Sequence, residues 1–590
     1  MEGFQFSALT SVLMLAGFFG FTYLLTLSIR ERKENVDGFM VSSGSIGFGF
    51  SASSMTATWV WAASFYAAAE AGYLYGISGP IHYGLWGALM ILCIYPFGKR
   101  FRELAPHAHT LAEMVHARHG STSQLMLAVS NIAGSLISLT ANFIAAGALV
   151  YILTPFSFGT GVLVIALGVL SYTIWSGFRA SVLTDFAQLV AMMGAAAVII
   201  PAIFFAAGGP GMLDTGMDTL RTQDPQMADL WSKDAFLYQG APYMLAVLAY
   251  AIGNQTITQR LFSVRMDRIK STFVTATLGY AGTVIGLGML GVLAAMIGIQ
   301  PADGNPNNLI PQMAVEFLPA ALIVVLFIMV IGSLSSTADS DLSALAAIAM
   351  TDIYGKNLAR GRVKARTMLL IGRMTMIGAT AGGVALAFAN FNILDLLVFV
   401  GGLWGALVFP VIASFYWNRI TNRAFTVSVV VAVVFFLLTR FELIPMVGVQ
   451  AVVFELLSAL GAATAVGLLA LGFAGRRVGA VAAVVMFLAM LPLLLGFVRD
   501  YPVLLGSLVA YGVSALLCVV ISLLSDERFD FDLIDQRVMS FQGDQSRRTT
   551  IHSPESNDAA GSEYETPALS SGRPTDGAGR GADTDQKGDI

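Results

Sequence analysis

The chain has 590 residues, of which 56% are hydrophobic and only 12% are charged. Because a soluble protein of this size carries about 25% charged residues, the composition predicts a polytopic helical membrane protein. The net charge of −4 gives no indication of nucleic-acid binding, and the sequence lacks the alternating strand pattern of an outer-membrane barrel.

Apolar stretches long enough to cross a bilayer occur about fifteen times. They cover residues 6–28, 46–69, 80–98, 124–153, 158–176, 184–206, 242–262, 273–299, 318–350, 367–389, 393–416, 424–439, 450–473, 478–497 and 502–524. Every second loop between them is basic, and the positive-inside rule places such loops in the cytoplasm. This predicts a protein of the plasma (cell inner) membrane with its N-terminus outside and its C-terminus in the cytoplasm. The tail from residue 526 onward is rich in Ser, Gly, Asp and Thr and is predicted to be disordered.

Two of these spans contain small or polar segments, Ser51-Ala-Ser-Ser-Met-Thr-Ala-Thr58 and Gly253-Asn-Gln-Thr-Ile-Thr-Gln-Arg260. The first is typical of a half-helix whose free carbonyls bind a cation, although tight packing against a neighbouring helix also explains it. The second is a natural break point, where Asn254 and Gln255 either bind a polar solute or form interhelical hydrogen bonds. Breaks in corresponding helices indicate an inverted repeat, with spans two to six and seven to eleven as its halves.

The ninth span carries a polar stripe inside an apolar helix. Asp339 flanks the stripe, and its hydroxyl residues recur at positions i, i+3, i+4 and i+7, namely Ser333, Ser336, Thr337 and Ser340. Polar groups are costly in lipid, so this face must contact a partner, a cavity or an ion. Oxygen ligands suit the hard cation Na+, and a packing face with back-bonded hydroxyls is the alternative. Asp185 joins a cation site if it faces the stripe, and otherwise it is a helix N-cap.

In these motifs the chain resembles the sodium/solute symporter family, over roughly residues 35 to 420. The matching segments are Phe39–Ile46, Tyr172–Phe186, Asn254–Arg260, Ser335–Ser340 with Thr351–Tyr354, and Gly401–Pro410. Three further segments resemble the urea-transporting branch, namely Thr58–Ala63, Tyr75–Pro80 and Leu104–Gly120. The sequence Gly253-Asn-Gln-Thr256 is instead similar to the general family.

The resemblance implies the inverted-repeat fold first described for a leucine transporter. Its five-plus-five core would occupy residues 46–418, flanked by a span and loop in 1–45, four spans in 419–525 and the tail 526–590. It also implies a sodium site made by the carbonyls of Ala57, Val60 and Ser333 and the hydroxyls of Ser336 and Thr337. A further cation site of some members maps to Asp185, Ser336, Asp339 and Ser340. Asp339 stands where such members have serine, so it is a candidate for a second cation or a proton.

Together these inferences predict a secondary active transporter, and not an enzyme, that carries a small polar solute with Na+ into the cell without a cofactor. Trp59, Trp61, Asn254 and Gln255 are the candidate solute ligands, and the urea-branch likeness makes urea the favoured solute. One alternative is proton-coupled transport of urea, a polyamine or a short carboxylate through Asp185 and Asp339. The others are a transporter-derived sensor with a signalling tail and a passive channel. The sequence leaves the oligomeric state open.

Overall fold

The computed structural model describes residues 4–29, 47–108, 110–358, 365–493 and 497–539. The motif at 39–46 and residues 540–590 of the predicted tail lie outside this part of the chain. The first helices are α1 Ala8–Ile29, α2 Phe48–Trp59, α3 Ala62–Tyr75, α4 Ser78–Leu104, α5 Leu111–His119, α6 Ser121–Leu153, α7 Phe158–Ala206 and α8 Leu213–Gln223. The later helices are α9 Ala241–Gly253, α10 Gln255–Ser263, α11 Ile269–Met296, α12 Leu309–Phe317, α13 Ala320–Ala347, α14 Ala365–Ala387, α15 Ile393–Tyr416, α16 Asn422–Arg440, α17 Gly448–Ala474, α18 Arg476–Met490 and α19 Pro502–Leu523.

Within the described residues, thirteen helices are long and apolar enough to cross a membrane. Two predicted spans fall short of that length: the span at 46–69 is divided into α2 and α3, and the span at 478–497 corresponds to α18, which has 15 residues. Conversely, α7 holds two predicted spans in 49 helical residues. A straight helix of that length would measure about 74 Å, whereas the hydrocarbon core is about 30 Å thick. The predicted all-helical architecture is confirmed, with thirteen candidate spans in the described residues where the sequence predicted about fifteen.

Two core spans are interrupted where the sequence predicted weak helices. Between α2 and α3, Val60 and Trp61 leave the helical conformation, with ψ angles of 54° and 156°. Between α9 and α10, Asn254 is extended, with φ −101° and ψ 117°. Each broken span begins one of the two predicted five-helix halves. The two breaks therefore hold corresponding positions, as in transporters built from inverted repeats.

The two halves pack through small residues and so place α13 beside both breaks. A Cβ atom at Gly291 of α11 would lie 1.8 Å from the carbonyl oxygen of Ala69 in α3, so these two backbones touch. Such close approach requires small residues, as is common between membrane helices. Helix α13 in turn contacts α2, α3 and α10. The polar residues of α13 therefore face the interior of the core and not lipid.

Residues 526–539, the first part of the tail that the sequence predicted to be disordered, fold back onto the core. The Phe529 ring lies under the guanidinium groups of Arg118 and Arg537, at 4.1 Å and 5.2 Å from the ring centroid. Ile534 and Val538, on the short helix that follows, are buried. A few aromatic and aliphatic residues therefore hold this otherwise polar segment against the core.

Candidate ion and solute site

The polar residues of α13 form an arc that faces several neighbours. Its members are each at most 4% exposed, namely Ser333, Ser336, Thr337, Asp339 and Ser340. At about 100° per residue they span roughly 160° of the helix circumference. An arc of that width exceeds what one neighbouring helix covers, so the arc divides into parts with different partners.

One part of the arc contacts the first helix break. Ser333 Oγ donates a hydrogen bond to the Val60 carbonyl at 2.6 Å, and Thr337 Oγ1 donates to the Thr58 carbonyl at 2.9 Å. These carbonyls are available because the last four carbonyls of a helix have no intrahelical donor. Ala57 is fully buried in the same turn of α2. The structure therefore brings together Ala57, Val60, Ser333 and Thr337 of the predicted sodium ligands.

The Ser336 hydroxyl points elsewhere, to Asp185. It donates to Asp185 Oδ1 at 2.5 Å, and Ser54 Oγ donates to Oδ2 at 2.6 Å. Asp185 is completely buried within α7. Because Asp185 lies far from a helix N-terminus, the alternative interpretation of this residue as an N-cap is wrong. Its carboxylate instead faces the polar arc, as a cation ligand would.

Arg260 completes this cluster, although it was not among the candidate site residues predicted from the sequence. It is 4% exposed, and its Nη2 lies 3.0 Å from Asp185 Oδ2 and 2.9 Å from Ser340 Oγ. Its Nε donates to Ser54 Oγ at 3.0 Å. Helix α10 continues past the break and carries Arg260 into the core. An arginine inside a predicted span was the available signal.

Asp339 occupies a separate position on the far side of the arc. Ser181 Oγ donates to its Oδ1 at 2.9 Å, and Tyr172 OH donates to its Oδ2 at 3.1 Å. No ion pair to Asp339 is found in the described part of the chain, although Ser340 lies beside it. Asp185 thus has a cationic partner, whereas Asp339 is held by hydroxyl groups. Sequence reasoning did not find Tyr172 or Ser181 as members of this site.

The predicted solute ligands lie at the two breaks, and all four are buried. Asn254 Oδ1 accepts hydrogen bonds from the backbone and side chain of Thr256, at 2.8 Å and 2.6 Å, so it caps α10. The Nε2 of Gln255 and the Nε1 of Trp59 have no hydrogen-bond partner among the described residues. The Trp59 ring lies 5.9 Å from the Tyr250 ring, which links the two broken spans. Trp61 lies in the first break itself.

The two broken spans hold corresponding positions of two five-helix halves, and a buried polar arc lies between them. These features define a secondary transporter with an inverted-repeat, leucine-transporter-like fold. A solved structure of a Na+-coupled sialic acid symporter, in a substrate-bound outward-open state, has this fold. Its TM-score is 0.62 at 17% sequence identity, and the match covers 81% of this chain and 97% of that one.

Residues 39–432 match the Sodium:solute symporter family, and the chain belongs to that family. The sodium/pantothenate symporter of Escherichia coli strain K12 is 25% identical over 414 residues, which are 66% of this chain and 82% of the relative. Probable urea active transporter 1 of Schizosaccharomyces pombe is 22% identical over 456 residues, which are 72% of this chain and 68% of the relative. A urea-proton symporter of Oryza sativa subsp. japonica is 22% identical over 421 residues, which are 66% of this chain and 58% of the relative.

Proposed function

We propose that this protein is a sodium-coupled symporter that carries urea into the cell across the plasma membrane. The N-terminus would then lie outside and the C-terminus inside, following the basic loops. The observation that carries the proposal is the pair of contacts from Ser333 and Thr337 to carbonyls of the first break. Membership of the family supports symport, and several relatives are named as urea transporters.

Sodium would bind among the carbonyls of Ala57, Val60 and Ser333 and the hydroxyls of Ser336 and Thr337. These are neutral oxygens, so the ion would be held weakly enough to be released inside the cell. The bond from Ser336 to Asp185 uses only the hydroxyl proton, which leaves oxygen lone pairs for a cation. Ion binding would join α13 to the break in the state that also binds solute. Each ligand would then raise the affinity for the other by the same factor.

The solute would lie between the two breaks. Trp59 Nε1 and Gln255 Nε2 are buried donors without a partner in the described residues, and both suit the carbonyl oxygen of urea. Trp61 would line the same space. Asn254, by capping α10, would hold this half-helix in position beside the solute.

The test is uptake of labelled urea into proteoliposomes by wild type and Thr337→Val, at a series of sodium concentrations. Valine keeps the shape of threonine but removes one oxygen ligand. We take the loss of this oxygen–Na+ contact to be comparable to that of a hydrogen bond to a charged group, about 1.5–3 kcal/mol. The sodium concentration for half-maximal uptake should therefore rise roughly 10- to 150-fold. Parallel assays with proline, a polyamine and a short carboxylate identify the solute if it is not urea.

Thr380→Val is the matched control. Thr380 is also 4% exposed, but among the described residues its hydroxyl bonds only to the Met376 carbonyl within its own helix. This variant should keep the wild-type sodium dependence. Sodium activation of Thr337→Val that matches wild type would refute the assignment of the ion site.

Proton coupling is the second candidate, and the environment of Asp339 favours it. A buried carboxylate held by hydroxyls alone can take up a proton without losing an ion pair. One relative is named a urea-proton symporter. Uptake that persists when choline replaces sodium, follows an inward pH gradient and is lost in Asp339→Asn would establish this coupling. Uptake without accumulation against a gradient would instead indicate a channel.

A further inference from the structure

Asp341 is a buried carboxylate that the proposed sodium site does not use. It is 1% exposed and lies one helical turn beyond Thr337 on α13, which widens the polar arc to roughly 200°. Ser138 Oγ, on α6, donates to Asp341 Oδ2 at 2.5 Å. In the described residues no Lys, Arg or His forms an ion pair with Asp341. The charge of Arg260 reaches it, but that side chain is bound to Asp185.

A carboxylate in this position is costly unless something binds it. Removing a charge from water costs several kcal/mol, and the neutral hydroxyl groups of Ser138 and Ser135 beside it return only part of that. Within a membrane protein such residues usually mark the path of an ion or a solute. An acceptor without a partner belongs to the same helix as Ser138: Asn142 donates to the Ser138 carbonyl, and its Oδ1 has no partner among the described residues. Asp341 and Asn142 thus present more hydrogen-bond acceptors than the neighbouring donors satisfy.

The residues around Asp341 are connected to the helix breaks through Trp404, which packs against α6 on one side and against the end of α9 on the other. A Cβ atom at Gly134, one turn before Ser138, would lie 1.7 Å from the Trp404 indole, and one at Gly253 would lie 2.9 Å from it. The Trp404 ring is 4.9 Å from Tyr250. Tyr250 is within electrostatic reach of Asp341 and touches Trp59. The aromatic residues Trp404, Tyr250 and Trp59 thus connect the surroundings of Asp341 to both breaks.

We propose that Asp341 binds the N–H groups of the solute and selects amide-type molecules, with Ser138 as its positioning residue. The inference rests on the proposed function and specifies its solute class. Donors on Trp59 and Gln255 face the solute from the breaks, and acceptors on Asp341 and Asn142 face it from α13 and α6. That arrangement complements a small planar molecule with a carbonyl on one side and N–H groups on the other. Carboxylate solutes are repelled by the like charge of Asp341.

The test uses three planar molecules of nearly the same shape: urea with two NH2 groups, acetamide with one, and acetone with none. Full-length protein in proteoliposomes takes up labelled urea at saturating sodium, and unlabelled acetamide or acetone is added as competitor. In wild type, acetamide should inhibit at a concentration about tenfold or more below that of acetone, because only acetamide donates to the carboxylate. In Asp341→Asn this ratio should approach one, and the KM for urea should rise about tenfold.

Asp352→Asn is the matched control, since Asp352 is a buried carboxylate in the helical segment Ile348–Leu358 that follows α13, and it accepts from Gln124 Nε2 at 2.7 Å. It should keep the wild-type ratio. If Asp341→Asn does not give monodisperse protein, Ser138→Ala takes its place, and the ratio should fall severalfold.

A wild-type ratio near one overturns the inference and leaves sodium-coupled transport standing. The inference is also overturned if Asp341→Asn alters only the sodium or pH dependence of uptake. That result would make Asp341 a cation or proton ligand. Wild type that accumulates no solute with sodium refutes the proposed function itself.

Discussion

The buried ion pair between Asp185 and Arg260 should be costly to break by removing one partner. The two charged groups are 3.0 Å apart, with side chains 0% and 4% exposed. Asp185→Asn would leave the Arg260 guanidinium buried without a counterion. Breaking a buried pair in this way costs about 3–5 kcal/mol. Because the pair also binds Ser54 of α2 and Ser340 of α13, the loss should loosen the contact between these helices.

The measurement is the free energy of unfolding, from SDS titration followed by tryptophan fluorescence. Asp185→Asn and Arg260→Gln should each lose several kcal/mol, whereas the double variant should lose less than the sum of the two. Their coupling energy should be about 1.5 kcal/mol or more. The Asp218–Arg221 pair is the control, because its atoms are also 3.0 Å apart but its side chains are 75% and 58% exposed. Asp218→Asn should change the stability by less than about 1 kcal/mol. Strict additivity of the two buried variants would refute the reasoning.

Two further predictions concern packing and pH. Gly134→Ala should destabilise the protein by about 3 kcal/mol or more, because its Cβ would lie 1.7 Å from the Trp404 indole. Gly378→Ala, with nothing within 4 Å, should leave the same SDS titration unchanged, and equal effects of the two variants would contradict the packing described. Burial, with a smaller effect of the Arg118 charge, lowers the pKa of His119 on α5 to about 3. The unfolded chain protonates this histidine near pH 6.5 and the folded chain does not, so its contribution to stability is complete above pH 6.5 and falls at lower pH by up to about 1.4 kcal/mol per unit. Comparing the free energy of unfolding at pH 7.5 and 5.5 should show a smaller loss in His119→Gln than in wild type, and identical losses would exclude this role.

Much of the architecture could be predicted from local pattern. Apolar length predicted thirteen of the fifteen spans as helices long enough to cross the membrane, since a helix must satisfy its own backbone hydrogen bonds in lipid. The glycine and amides at Gly253-Asn-Gln marked the second break. The small residues before Val60 marked the first, although packing explained them equally well. The tail beyond residue 526 was less predictable, because a few residues such as Phe529 decide whether a polar segment docks.

The periodicity of α13 determined that Ser333, Ser336, Thr337 and Ser340 share a polar side, and the cost of such groups in lipid required that they have partners. Periodicity is a property of one helix, so it identifies neither the partners nor how the side divides among them. Ser333 meets Val60 across 273 positions of sequence, and Ser336 meets Asp185 across 151. Only the packing of distant helices separated the carbonyl contacts of Ser333 and Thr337 from the charged cluster around Arg260. The same packing connected the surroundings of Asp341, one turn past the predicted stripe, to the breaks through Trp404.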